Sequence, residues 1–137
     1  MLKELELRHY MVPNPVVVKP DASLFEAMRL IEEGKVSGLC VVDDSGTLVG
    51  VLSEMDCLRG ILSAVYNDTG IGYVSDFMTA DNLIVAYTYE SIADIASDMM
   101  RIKHRRRPVV DSQGRLVGQI TIRQILKAVK GFRDRAA

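Results

Sequence analysis

Leu24, Ala27, Met28 and Ile31 fall on one face of a helical repeat, and Ile92, Ile95, Ala96 and Met99 repeat that face farther along the chain. Each stripe predicts an amphipathic helix, opened by Ser23 or Ser91 as N-cap. A short apolar run follows each helix, "LCVVD" or "RPVVD", then a turn with Gly46 or Gly114, then "LVGVLS" or "LVGQIT". Runs of this length around Asp-Ser-Gly and Ser-Gln-Gly predict strands joined as hairpins. Short extended segments, Val16–Val18 and Leu83–Val85, lead into the two helices, and further helices over about 54–66 and 122–132 close the pattern. In the first closing helix, Met55, Leu58, Ile61, Leu62 and Val65 form a wide apolar stripe. Core packing is expected for it, with part left to meet a second subunit.

The two halves are copies. A shift of 68 sets "VVDDSGTLVGVLS" on "VVDSQGRLVGQIT" and "SLFEAMRLI" on "SIADIASDM", and a shift of 67 sets "HYM" at Met11 on "DFM" at Met78. Both copies run in the order β-α-β-β-α. The expected division is 1–66 for the first repeat with an N-terminal extension, 67–73 for a linker of loop composition, and 74–137 for the second repeat. A unit of about 60 residues buries only a marginal core by itself. The copies are therefore expected to pack as one pseudo-symmetric module of mixed α/β (α+β) class.

Charge is unevenly divided between the copies. Residues 1–68 hold six Lys/Arg and eleven Asp/Glu, a net −5, whereas residues 69–137 hold eleven and seven, a net +4. Five consecutive basic side chains, Lys103 to Arg107, stand directly before Pro108 and an apolar run. Such a run either lies in water or faces an anion. Arg123, Lys127 and Lys130 share a helix face that reads as solvated, because the chain has no Trp and no aromatic–basic interleaving. No apolar run reaches the length of a membrane span, and "MLKELELRHY" carries acids without an apolar signal core. Cys40 and Cys57 make no ligand pattern and read as two buried thiols of a reduced, cytoplasmic chain. His9 and His104, the only histidines, form no metal-ligand spacing, so no metal site is expected. Ser53, His104 and Asp56 could be written as a catalytic triad. A serine and an aspartate three apart are better explained as a helix cap, and no catalysis is expected.

The element order, the paired "VVD-x-x-G-x-L-V-G" strands and the "G-h-h-[ST]" exits (h being apolar) together resemble cystathionine-β-synthase (CBS) domains, and two in tandem resemble a Bateman module. The resemblance covers about residues 7–132 and departs from the family pattern where Cys40 stands in the place of Pro108. It implies a regulatory module without cofactor that binds an adenine nucleotide, AMP, ADP or ATP, in a cleft between the repeats. NAD and cyclic dinucleotides fit the same phosphate argument. The implied roles fall on the intact "Gly50-Val51-Leu52-Ser53-Glu54-Met55-Asp56": Asp56 would accept from both ribose hydroxyls, and Ser53 would face sugar or phosphate. Arg105, Arg106 and Arg123 would hold phosphate, and the base would lie near Val16, Val17, Val18 and Leu39. The second copy has Gln124 in place of Asp56 after Thr121. The matching phosphate contacts there would be Ser37, Gly38 and Met55, none cationic, so one competent site per chain is expected. Helix capping accounts for Ser53-x-x-Asp56 on its own and for Gln124 entirely. A homodimer and an unidentified regulated protein are the expected partners. The alternative is a ligand-free protein-interaction or nucleic-acid-binding module that uses the basic 101–107 arm.

Overall fold

The computed structural model describes residues 5–136, with side-chain surroundings through residue 134. Contacts divide the chain into two compact units: Pro15–Leu83, and the residues up to Asn14 together with those from Ile84 onward. Packing units and sequence repeats are therefore offset. The segment before the first repeat packs with the second, and residues 74–83 pack with the first.

In the first unit, β2 (Val17–Val18) runs parallel to β3 (Gly38–Val42), which pairs antiparallel with β4 (Leu48–Ser53). Helices α1 (Leu24–Gly34), α2 (Glu54–Asn67) and the short α3 (Val74–Phe77) complete it. Its core gathers Val18, Leu24, Ala27, Ile31, Leu39, Val41, Leu52, Cys57 and Val74. In the second unit the strand order is β1-β7-β6-β5, comprising β1 (Val12–Pro13), β5 (Ala86–Tyr87), β6 (Arg106–Val110) and β7 (Leu116–Thr121). Helices α4 (Ile92–Ile102) and α5 (Ile122–Ala136) close this unit over Leu7, Ala86, Ile92, Ile95, Met99, Val109, Ile120 and Ala128. The apolar faces read from the sequence for α1 and α4 are the buried ones, and the β4 and β7 boundaries coincide with the predicted runs.

Repetition extends to small irregularities. Register shifts fall at Val41/Val42 and at Val109/Val110. Each hairpin turn needs a left-handed residue, supplied by Gly46 at φ 82° and Gly114 at φ 81°. The carboxylates of Asp43 and Asp111 tie these turns, Oδ1 of each accepting two backbone N–H groups at 2.8–3.0 Å.

Three expectations are corrected. The α2 stripe faces outward: Met55, Leu58, Leu62 and Val65 are exposed, and the helix buries Asp56, Cys57, Gly60 and Ala64 instead. Small side chains let the helix sit close to its neighbours, a signal that an apolar count misses: a Cβ on Gly60 would stand 2.3 Å from Leu24 Cδ2 of α1 and 3.2 Å from the Phe77 ring of α3. The strand expected at Leu83–Val85 starts at Ala86, which pairs with Val109 as Val18 pairs with Val41. Val17 pairs with Cys40, whereas the equivalent partner of Val85 is Pro108, which has no N–H to offer a ladder. The lead-in segments also form pairings absent from the predicted elements. β1 lies antiparallel to β7, with Val12 opposite Gln119, and Thr79 bridges Val51 in the matching way.

Those pairings depend on glycine. A Cβ on Gly118 would stand 2.6 Å from Met11 Sδ and 2.9 Å from the Val12 carbonyl oxygen; one on Gly50 would stand 2.8 Å from Met78 Sδ and 3.0 Å from the Thr79 carbonyl oxygen. The methionine of each lead-in thus lies directly on the glycine of an "LVG" strand. A side chain there forces the lead-in off the sheet.

One exchange breaks the symmetry of the cores. Leu30 and Leu39 of the first repeat are replaced in the second by Asp98 and Arg107. Arg107 is 3% exposed; its Nη2 lies 2.8 Å from Asp98 Oδ2 without hydrogen-bond alignment, and its Nε meets no acceptor. Asp98 is held below the ordinary aspartate range, first by the hydrogen bond from Arg101 and then by Arg107.

Gly118→Ala and Gly50→Ala should each lower stability by roughly 1–3 kcal/mol in thermal or urea unfolding. Gly70→Ala, with nothing within 4 Å of the added carbon, should change little. The buried pair gives a second prediction. Asp98→Leu alone lowers the unfolding midpoint by leaving Arg107 buried without a carboxylate, and adding Arg107→Leu recovers it or raises it above wild type. A double variant no more stable than Asp98→Leu alone would show that the pair, rather than the volume, holds this corner.

Candidate functional site

In the first unit the chain leaves β4 at Ser53 in extended conformation and enters α2 at once. Ser53 Oγ accepts from Asp56 N at 3.1 Å, and Asp56 Oδ2 accepts from Ser53 N at 2.8 Å, a complete capping box. The other carboxylate oxygen, Oδ1, is paired with Arg59 Nη2 one turn along the helix. Asp56 is nearly enclosed, its side chain 10% exposed, while that of Arg59 is 59% exposed. Glu54 shares the first turn with Asp56, so two carboxylates already offset the positive end of the α2 dipole. This end suits neutral donors such as hydroxyls better than a phosphate.

The four residues expected around a base divide between two environments. Val18 and Leu39 belong to the core of the first unit, and Val16 packs against it. Val17 is exposed at 38%. Side chains of Val18 and Leu39 therefore form the backing of the sheet, and Val17 is the member of the group that reaches its surface.

In the second unit the N-terminus of α5 carries the opposite electrostatics. Its first turn holds no acid. Arg106 lies across the ladder from Thr121, the Arg105 carbonyl accepts from Ile122 N at 3.0 Å, and Arg123 is the second residue of the helix. Strand pairing and the helix start thus gather three arginines around one helix end. Among the described residues, the side chains of Arg105, Arg106 and Arg123 have neither ion pair nor hydrogen bond, as is true of the exposed Arg133 near the far end of α5, whereas Arg8, Arg29, Arg59, Arg101, Arg107 and Arg115 are paired. Cations beside a positive dipole end are unfavourable unless an anion joins them. The five-residue basic run accordingly separates by role. Lys103 ends α4 in the left-handed conformation, His104 is exposed, and Arg107 turns inward to Asp98.

Gln124 departs from the expected cap. Thr121 Oγ1 accepts from Gln124 N at 3.1 Å, but the glutamine side chain does not return to Thr121; its Nε2 donates to the Tyr10 carbonyl at 3.2 Å. It ties the lead-in segment to α5 and also lines an open cavity of about 440 Å³ with His9, Tyr10, Met11 and Lys127.

Two residues escaped the sequence reading. Arg59 carried a signal in its i,i+3 spacing from Asp56. Arg107 carried one in the paired exchange of Leu30 and Leu39 for an acid and a base. Among the described residues no cluster of His, Cys, Asp or Glu is placed to hold a metal ion, and no helix is long and apolar enough to cross a membrane.

Comparison with known proteins identifies the family. The CBS domain family model matches twice, over residues 7–63 and 74–131. The chain is 38% identical to inosine-5'-monophosphate dehydrogenase of Aquifex aeolicus over 120 residues, which cover 88% of this chain and 24% of that enzyme. It is 34% identical to the chloroplastic CBS domain-containing protein CBSX2 of Arabidopsis thaliana, over 87% of this chain and 61% of that protein. The chain thus spans about a quarter of the first relative and three-fifths of the second. The crystal structure of CBSX2 in complex with AMP superposes with a TM-score of 0.82 at 36% identity, covering 93% of this chain and 98% of that one. The two matched segments fall on the two copies found in the sequence, and the βαββα order of each is the observed one. The chain belongs to the CBS domain family, as a tandem pair.

Proposed function

We propose that the chain is a regulatory module that binds an adenine nucleotide, AMP or ATP, and has no catalysis of its own. The ribose diol would rest on Asp56 and the phosphate on Arg105, Arg106 and Arg123. One observation carries the reading: three arginines without side-chain partners stand next to a helix N-terminus that has no acid of its own. Stability alone favours the reverse arrangement, so the cluster makes sense as half of a complex with an anion. Arginine suits phosphate because its planar fork gives charge-assisted, bidentate bonds. Asp56 suits a diol because a carboxylate is acceptor-only and offers two oxygens. The CBSX2–AMP complex, which this chain matches over nearly the whole of that structure, supports the ligand class. Cys40 and Cys57 are both buried and neither forms a disulfide, which suits a reduced, cytoplasmic setting.

Calorimetry with AMP, ATP and adenosine tests the assignment. Asp56→Ala should weaken all three by about 10- to 150-fold, the equivalent of roughly 1.5–3 kcal/mol for a charge-assisted contact. Arg105→Ala, Arg106→Ala and Arg123→Ala should weaken AMP and ATP on the same scale while leaving adenosine nearly unchanged. Equal losses for adenosine and AMP in the arginine variants would assign those residues to the fold. Unchanged affinity in Asp56→Ala would leave capping as its whole role.

A homodimer belongs to the same proposal. Leu58, Leu62 and Val65 on α2 and Leu126 and Val129 on α5 expose apolar surface at helical spacing, more than isolated surface residues would require. A second copy of the chain would cover it. Light scattering at micromolar concentration should give twice the 15.2 kDa chain mass; a monomer with and without nucleotide would end this part of the reading.

A further inference from the structure

Resting on the reading that Asp56 holds a ribose, we infer that Arg59 is a displaceable latch on that carboxylate, which a ligand must release in order to bind. The carboxylate has two partners of unlike permanence. Ser53 N is backbone, held by the start of α2, and its 2.8 Å bond to Oδ2 is part of the capping box that satisfies the first turn of the helix. The Arg59 guanidinium on Oδ1 stands at the end of a long side chain that is 59% exposed, and its release trades an ion pair for hydration. A vicinal diol brings two adjacent donors that must span both carboxylate oxygens from one edge. With the Asp56 side chain only 10% exposed, no free edge of that width remains while Arg59 is in place.

The latch is a property of this site alone. In the second repeat the matching positions are Gln124 and Lys127, and the glutamine amide is turned to the Tyr10 carbonyl, so no acid–base pair guards that helix end. Release also moves a charge. Arg59 follows Leu58 and precedes Leu62 on α2, both exposed, so a bound diol would place a free guanidinium within the apolar surface stripe. Occupancy of the site would thereby alter the face that a partner meets. The exchange is small in energy, because the guanidinium that leaves is already largely in water and loses little on release.

Adenosine is the probe, since it carries the diol and no phosphate that a freed Arg59 could attract. Calorimetry would compare wild type, Arg59→Leu, Arg59→Lys and Asp56→Ala in the full chain at low and high NaCl. Arg59→Leu should bind adenosine about two- to fivefold more tightly than wild type. Arg59→Lys, which keeps the charge and loses the fork, should fall between them. Salt should strengthen adenosine binding to wild type by screening the ion pair and leave Arg59→Leu unaffected. 2'-Deoxyadenosine, with one hydroxyl fewer, should gain less from the substitution. If Arg59→Leu binds adenosine equally or more weakly while Asp56→Ala loses affinity, the latch is wrong and the ribose assignment stands. If Asp56→Ala binds as wild type does, or no protein binds adenosine at millimolar concentration, both readings fall.

Discussion

The approach of a methionine to a bare backbone is the contact on which the arrangement of this chain depends. Met78 over Gly50 and Met11 over Gly118 each bring a lead-in segment within van der Waals reach of the second strand of a hairpin. Because no side chain intervenes, the lead-in backbone can add a further pairing at the sheet edge, at Thr79 with Val51 and at Val12 with Gln119. The same segments carry fully buried anchors, Val74 and Leu7. Leu24 N then bonds to the Gly72 carbonyl and Ile92 N to the Leu5 carbonyl, which sets the start of α1 and α4. Edge, core and helix entry thus follow from one close contact in each unit.

The two helix ends that receive the strands have diverged in opposite electrical senses. At α2 two acids offset the dipole, and one of them is further paired with Arg59. At α5 no acid is present and three arginines add to the positive end. Duplication supplied two equivalent positions, and the residues now standing there give one helix end a surplus of acid and the other a surplus of base. The cores differ likewise: where the first unit has Leu30 and Leu39, the second has the half-paired Asp98 and Arg107.

Much of the fold was legible because repetition doubled every signal. The β4 and β7 runs, the α1 and α4 faces and the glycine turns could each be checked against a second copy. The lead-in pairings were not legible. A two-residue strand has no period to read, and nothing local to Val12 says that its partner is Gln119. Periodicity also located the α2 stripe without its direction, because Cys57, Gly60 and Ala64 are too small to register as an apolar face, yet they are the side that packs. At the candidate site, the cap formed by Ser53 and Asp56 was written in their spacing, and the gathering of Arg105, Arg106 and Arg123 followed from strand and helix order. The burial of Arg107 and the pairing of Arg59 depend on rotamers and neighbours that a sequence pattern does not encode.

The offset between repeats and packing units changes what the ends of the chain mean. Residues 5–14 look like a flank of the first repeat, yet Leu7 is enclosed in the second core and β1 borders β7, more than a hundred positions downstream. Trimming that flank would strip an edge and a core side chain from the far repeat while leaving its neighbour in sequence whole. Pro15–Leu83 is contiguous and carries its own lead-in, whereas the other unit is closed only by chain from both ends. A cut in the 67–73 loop, the obvious boundary by repeat, would divide the polypeptide at the one place where each fragment is left holding the other's lid.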